Sequence, residues 1–271
     1  MSSELVGRAI MNVRVLGCSG AIGSGTDAVG DPGGTTALLV DDDILIDAGT
    51  GVAVLDDDAL ARIDHVFLTH SHLDHIAYLP LMIDAVGDAR GAPLTVHASR
   101  STFGILQAHI FNNLIWPDFT RIPSPEAPGV RFEALEVGEC FTLNGRTVTA
   151  LPARHAVPSM GFAVSSGAAC LAFSGDTTTN PEFWAVVCAL PGLRHVIVET
   201  AFPDAQIATA HAAHHYCPRL IADDLRGIEL KAELLISHLK PPHGAQILEQ
   251  LRAALPGVRL RALRAGEVLS L

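Results

Sequence analysis

One short segment constrains this chain more than any other: Thr69-His70-Ser71-His72-Leu73-Asp74-His75, at the end of the apolar run His65–Thr69. Four side chains of metal-ligand type fall within six positions there. If the chain stays extended from His70 to Asp74, the strand period of two puts residues 70, 72 and 74 on one face. Two histidines one residue apart can bind the same ion, and the adjacent Asp74–His75 pair can reach a second ion a few ångströms away. Imidazole and carboxylate suit zinc, manganese or iron at neutral pH. Four ligands cannot complete two such sites, so the fold has to bring further ligands from distant segments.

Three places qualify. His155 lies in a loop after the strand-like run Thr147–Leu151, Asp176 ends CLAFSGD, and His238 ends LLISH. Each follows a short apolar run, as His70 does, so all can converge on one edge of a sheet. Alone, each would read as a capping or hydrogen-bonding residue; with the first cluster they form a set.

The rest of the pattern supplies the sheets. Val13–Leu16, Thr36–Val40, Ile44–Asp47, His65–Thr69 and Leu94–Ala98 read as strands, the second and third as a hairpin turning on Asp41–Asp43. Helices are predicted over Ile76–Val86, begun or kinked by Pro80, and over Ser101–Asn113 with Ser101 as a cap. After a Pro-rich connection, Pro117 to Pro128, strands recur at Phe132–Val137, Thr147–Leu151, Gly161–Val164, Cys170–Phe173, His195–Glu199 and Leu234–Ser237. Helical patterns cover Pro181–Leu190, Pro218–Leu225 and Ala245–Leu255. In each half, β-rich runs give way to βα alternation. That order predicts two sheets packed face to face with helices outside, in one α/β domain spanning residues 1–271.

Composition narrows the function classes. Hydrophobic residues make up 49% of 271 positions, enough for a core without staples. Eighteen Lys+Arg against twenty-nine Asp+Glu give a net charge of −11, which argues against a long nucleic acid as partner. A small anionic substrate remains compatible, provided the site carries its own positive charge. No apolar run suits a membrane span and no signal-peptide pattern opens the chain, so a cytoplasmic protein is expected. The five cysteines lack any CxxC pair and read as buried, reduced thiols.

His-x-His-x-Asp-His, a distant His, an Asp in SGDT and a late His together resemble the metallo-β-lactamase superfamily. The likeness covers most of the chain, including LGCSG, TTALLV and ILIDAGTG. It implies a four-layer αββα sandwich. It also implies that His70, His72 and His155 hold one divalent cation, that Asp74, His75 and His238 hold another, and that Asp176 bridges them. The ions implied are zinc, with manganese or iron as alternatives. SHLDHIAYLPLMIDA, FNNLIWPDF and VETAFPD followed by His-Tyr-Cys-Pro are similar to class II 3′,5′-cyclic-nucleotide phosphodiesterases. That likeness places His215 as the catalytic histidine, with Cys217 standing where threonine is usual.

The chemistry expected is hydrolysis of a small phosphodiester, foremost a cyclic nucleotide (cAMP or cGMP) to the 5′-nucleotide. Paired cations lower the pKa of water from about 16 towards 7. Asp74 and Asp176 can orient the attacking oxygen, His215 can protonate the departing alkoxide, and Glu199 can hold its imidazole in the useful tautomer. His214 is the rival for His215. The alternatives are a tRNA 3′-processing endonuclease like ribonuclease Z, a lactonase or thioesterase, and a non-catalytic metal-binding sensor. The carboxylate-bridged, Cys-free ligand set speaks against the last, because structural zinc sites are usually closed and Cys-rich.

Weaker signals have two readings each. Gly23–Ala28 matches GxGxxA, but Gly30, Pro32, Gly33 and Gly34 follow at once, so a flexible turn near the site is expected, not a dinucleotide fingerprint. Asp47 is either a partner that orients a ligand histidine or a plain turn carboxylate. Phe111, Trp116 and Phe119 form a lip for a nucleobase, or else pack normally or meet a second copy in a homodimer. His65, His97, His109, His195, His211 and His243 are read as ordinary surface or core residues.

Overall fold

The computed structural model describes residues 10–22 and 33–271; the Gly23–Ala28 match lies outside them. The first half begins with β1 (Asn12–Ser19), β2 (Gly33–Val40) and β3 (Ile44–Ile46), antiparallel neighbours in turn. Helix α1 (Asp57–Arg62) precedes β4 (His65–Phe67), and α2 (Leu73–Ile76) and α3 (Leu79–Val86) lead to β5 (Leu94–Ala98). After α4 (Arg100–His109), a small ribbon of β6 (Pro123–Ser124) and β7 (Ala127–Pro128) leads to β8 (Val130–Ala134). β4, β5 and β8 extend the sheet in parallel from β3.

The second half repeats the plan. β9 (Cys140–Leu143), β10 (Arg146–Pro152), β11 (Met160–Ser165) and β12 (Cys170–Phe173) are antiparallel neighbours. After α5 (Pro181–Cys188) comes β13 (Leu193–Glu199), and after α6 (Ile207–Ala213) and α7 (Pro218–Asp224) comes β14 (Glu233–Ser237). Helix α8 (Gly244–Ala254) then precedes β15 (Leu260–Ala262), and β13, β14 and β15 join parallel to β12. β16 (Val268–Ser270) returns to pair antiparallel with β1, on the edge of the first sheet.

Burial explains the sequence texture. β3 and β12 are buried at every position, because one face meets the other sheet and the other face meets helices. The edge strand β9 alternates exposed and half-buried residues. Between the sheets, Val15, Leu38, Ile46 and Phe67 meet Val148, Phe162, Leu171 and Leu235. Outside one sheet, Leu45, Val66 and Val96 pack with Leu79, Met82 and Ile83 of α3; outside the other, Val196 and Ile236 pack with Phe183, Trp184 and Leu251. The layers are therefore αββα, as the sequence suggests.

Several local expectations are corrected. The chain is not extended from His70 to Asp74: His72 is the last extended residue (φ −66°, ψ 146°) and Asp74 lies in the first turn of α2. The helix expected over Ile76–Val86 is two helices, with Pro80 in the first turn of α3, where its missing N–H costs nothing. Ser99, not Ser101, caps α4 by accepting the Thr102 N–H at 3.1 Å, and the helix stops at His109. Phe111 is buried, and Trp116 and Phe119 pack against the same cluster, so they form no open aromatic lip. Leu114 and Ile115 between them are exposed instead. Cys18, Cys170 and Cys217 are buried, but Cys140 and Cys188 are exposed, contrary to expectation.

Candidate metal centre

The site sits where strands end. Asp47 follows β3, Thr69 and His70 follow β4, Asp176 follows β12, Glu199 closes β13, and His238 follows β14. Ligands of open α/β sheets gather at the carboxyl ends of parallel strands, because successive loops open to one side there. Two turns are tight. At Gly175 (φ +58°) an added Cβ would lie 2.8 Å from the Met160 carbonyl oxygen. At Gly20 it would lie 2.4 Å from the His238 carbonyl oxygen. Asp47 and His238 also adopt left-handed backbone, at φ 56° and 57°, which is uncommon for residues with a Cβ.

Two donor sets share Asp176. One comprises His70, His72, His155 and Asp176; the other comprises Asp74, His75, Asp176 and His238. In each, the donor atoms lie within 4.8 Å of one another. Asp176 Oδ2 lies 3.7 Å from His70 Nε2 and 3.8 Å from His155 Nε2. Its Oδ1 lies 3.4 Å from His75 Nε2 and 3.3 Å from His238 Nδ1. Asp74 Oδ2 is 3.8 Å from Nε2 of both His75 and His238. All seven expected positions therefore meet, although they come from opposite halves of the chain.

A cation suits this arrangement. His70 Nε2, His75 Nε2 and His238 Nδ1 are buried and find no hydrogen-bond partner among the described residues. His72 Nδ1 and His155 Nε2 face each other at 3.0 Å, which two unprotonated nitrogens tolerate only with a proton or a metal nearby. Burial pushes the His155 pKa down to about 4 and that of His238 to about 3, so both present lone pairs at neutral pH. Metal ligation requires that neutral form.

The partners behind the ligands fix which nitrogen faces inward. Asp47 Oδ2 accepts from His75 Nδ1 at 2.7 Å, leaving Nε2 for the site. Asp47 also accepts the Thr69 N–H and hydroxyl, both at 2.8 Å. With its hydrogen directed at Asp47, the Thr69 hydroxyl accepts from His70 Nδ1 at 3.0 Å. His155 Nδ1 donates to the His214 carbonyl oxygen at 2.9 Å. Asp47 is therefore an orienting group and no plain turn carboxylate. Thr69 escapes notice in the sequence, where its only signal is its place beside His70.

A third grouping is Asp176, Glu199 and His215. His215 Nδ1 lies 2.7 Å from Glu199 Oε1, and its ring centroid is 4.9 Å from that of His155 and 5.3 Å from that of His238. Burial works against an imidazolium at His215, but Glu199 and then Asp176 outweigh it, so its pKa lies above the usual histidine value. Glu199 is fully buried and also receives the Thr177 and Tyr216 N–H groups. His214 contributes its carbonyl to His155, and its side chain does not join Glu199. Cys217 precedes α7 without capping it, so Glu199 and not residue 217 holds His215.

Known proteins share this architecture. A family model described as "Beta-lactamase superfamily domain" matches residues 42–255. A probable 3′,5′-cyclic-nucleotide phosphodiesterase of Yersinia pestis is 26% identical over 203 residues, covering 66% of this chain and 57% of that protein. Ribonuclease Z of Bradyrhizobium diazoefficiens is 31% identical over 130 residues, covering 46% of this chain and 41% of that one. The matches thus span about half the length of these curated relatives. Among solved structures, unliganded yeast PDE1 superposes with a TM-score of 0.79 at 17% identity, covering 97% of this chain and 99% of its own. The short form of human tRNase Z reaches 0.65 at 18% identity, covering 95% and 98%. With a family match across most of the sequence and the same sandwich in its structural neighbours, the chain belongs to the metallo-β-lactamase superfamily of hydrolases.

Proposed function

We propose that the chain hydrolyses a small phosphodiester, with a 3′,5′-cyclic nucleotide as the leading candidate and the 5′-nucleotide as product. Relatives named cyclic-nucleotide phosphodiesterase in Yersinia pestis, Saccharomyces cerevisiae and Schizosaccharomyces pombe support this reading. The observation that carries it is the His215–Glu199 pair at 2.7 Å, beside the carboxylate that the two donor sets share. In this reading His70, His72 and His155 hold one divalent cation, Asp74, His75 and His238 hold a second, and Asp176 spans both. Zinc is the first choice, with manganese or iron as alternatives. When bound, the cations acidify water and neutralise phosphoryl charge.

The protein's own residues do the rest. Asp74, the most open carboxylate of the two sets at 32% side-chain exposure, orients the water that attacks phosphorus. As the bond from phosphorus to the ribose 3′ oxygen breaks, His215 donates a proton to that oxygen. Glu199 on Nδ1 keeps the imidazolium charged and points the other nitrogen outward. Ribose needs this proton because its alkoxide is a poor leaving group; p-nitrophenolate does not.

That contrast is the test. His215→Ala should lower kcat on cyclic AMP by about 10²–10⁴-fold, while hydrolysis of bis(p-nitrophenyl) phosphate falls only a few-fold. Near-full turnover of cyclic AMP by the variant would remove the proton-donor role. A second reading, tRNA 3′-processing, draws on the ribonuclease Z relative, but the net charge of −11 disfavours it. Adding a precursor tRNA and a lactone to the same assay separates these activities. No turnover of any of them, with metal still bound, would favour the sensor reading.

A further inference from the structure

A cavity of about 890 Å³ opens on the far side of His155, the one donor residue that lines it. Its walls come from the segment that carries His155, the start of α4, the loop after β8, and Thr178–Thr179 with His214. Ligand pockets for small molecules typically span about 300–1,000 Å³, so the space exceeds what a single reacting phosphate needs. Two arginines line it, Arg100 and Arg154, against one carboxylate, Glu136. In a chain with net charge −11, that local balance is reversed.

Neither guanidinium is committed elsewhere. Arg154 makes a single 3.8 Å ion contact with Glu182, and both side chains are more than half exposed, at 54% and 64%. Contacts of that kind contribute little. The Arg100 guanidinium has no ion pair or hydrogen bond among the described residues. The backbone of Arg154 is nevertheless fixed relative to the centre. Its N–H donates to the Thr177 hydroxyl at 2.9 Å and its carbonyl accepts the Thr178 N–H at 2.9 Å, immediately after Asp176. Arg100 opens the ten-residue helix α4, whose first turn Ser99 caps. Guanidinium groups match phosphate and carboxylate geometry through paired N–H donors.

We infer that this cavity is a second anion subsite, which receives a phosphate or carboxylate carried on the part of the substrate that is not attacked. The inference rests on the phosphodiesterase reading and ranks substrates within it. A simple cyclic nucleotide, with its single phosphate, leaves the subsite empty, and a nucleotide diester with a further anionic group, which Arg154 and Arg100 hold beyond His155, is preferred over it.

Two matched chromogenic esters test it, thymidine 5′-(p-nitrophenyl phosphate) with and without a 3′-phosphate, on the metal-loaded protein. The 3′-phosphate should raise kcat/KM tenfold or more, mainly through KM. The double variant Arg100→Gln/Arg154→Gln should lose at least fivefold more on the phosphorylated ester than on the plain one. Equal kcat/KM for the two esters in the unmodified protein, or equal losses on both in the variant, overturns the subsite. Calorimetric titration with thymidine 3′,5′-bisphosphate and thymidine 5′-monophosphate separates this outcome from failure of the phosphodiesterase reading. At least tenfold tighter binding of the bisphosphate supports the subsite even if neither ester is cleaved, and equal affinities reject it.

Discussion

Asp47→Asn replaces a buried carboxylate by its isostere and tests how the metal centre is oriented. Asparagine tolerates left-handed backbone about as well as aspartate, so φ 56° at this position should survive. Asp47 accepts three hydrogen bonds, from the Thr69 N–H, the Thr69 hydroxyl and His75 Nδ1. An amide can accept through its oxygen only. The Thr69 backbone N–H cannot turn away, so the oxygen stays with it and the NH₂ faces His75. His75 then relieves the donor–donor clash by moving its proton from Nδ1 to Nε2. That change removes the lone pair that lies 3.4 Å from Asp176 Oδ1. Loss of such an orienting partner typically lowers metal affinity about 10–100-fold, equivalent to about 1.4–2.7 kcal/mol. Competition with a chromophoric chelator, together with elemental analysis, reads both affinity and stoichiometry. If each donor set holds one ion as proposed, the expected result is one weakened ion, in the set with Asp74, His75 and His238, and one ion bound as before. If the variant keeps both ions with affinities within twofold, the tautomer argument is wrong.

Two further predictions address the scaffold. His97 is buried against Phe67, with ring centroids 4.3 Å apart, and burial, together with the neighbouring His65, lowers its pKa to about 4. The unfolded chain therefore binds this proton more readily, and stability falls as pH drops from the unfolded value near 6.5 towards 4. Between pH 7.5 and 5 the loss from this residue is about 2 kcal/mol. Denaturant titrations of His97→Phe should show a shallower decline than the unmodified protein, by that amount; parallel declines would contradict it. Gly175→Ala forces a Cβ into left-handed backbone and against the Met160 carbonyl. It should cost about 2 kcal/mol or more, read as a lower denaturation midpoint, with weaker metal uptake because Asp176 is displaced.

The residue types of the candidate metal centre are legible without coordinates, since histidine and carboxylate are common metal ligands and the THSHLDH run concentrates four of them. The strands leading to them are legible too: ILI in β3, CLAF in β12 and ELLIS in β14 are almost wholly apolar because both faces are covered. Short elements with weak patterns escape, among them β9 with one exposed face, β15, β16 and the Ala-rich helix α6. The aromatic residues Phe111, Trp116 and Phe119 mislead for a related reason. Polar neighbours suggest exposure, yet the rings fold back onto the core while Leu114 and Ile115 face outward.

By itself, then, the amino-acid order determined a βα-alternating sandwich and the chemical identity of a candidate cation-binding set. Periodicity and side-chain chemistry are local properties, and each residue carries them along the chain. Only the tertiary structure decided that Asp176 turns one oxygen to each donor set, that Asp47 and Thr69 select the inward nitrogens of His75 and His70, and that His215 and not His214 meets Glu199. Those outcomes depend on orientation between segments far apart in sequence. An imidazole has two nitrogens and a carboxylate two oxygens, and nothing local chooses between them until the surrounding fold supplies the partner.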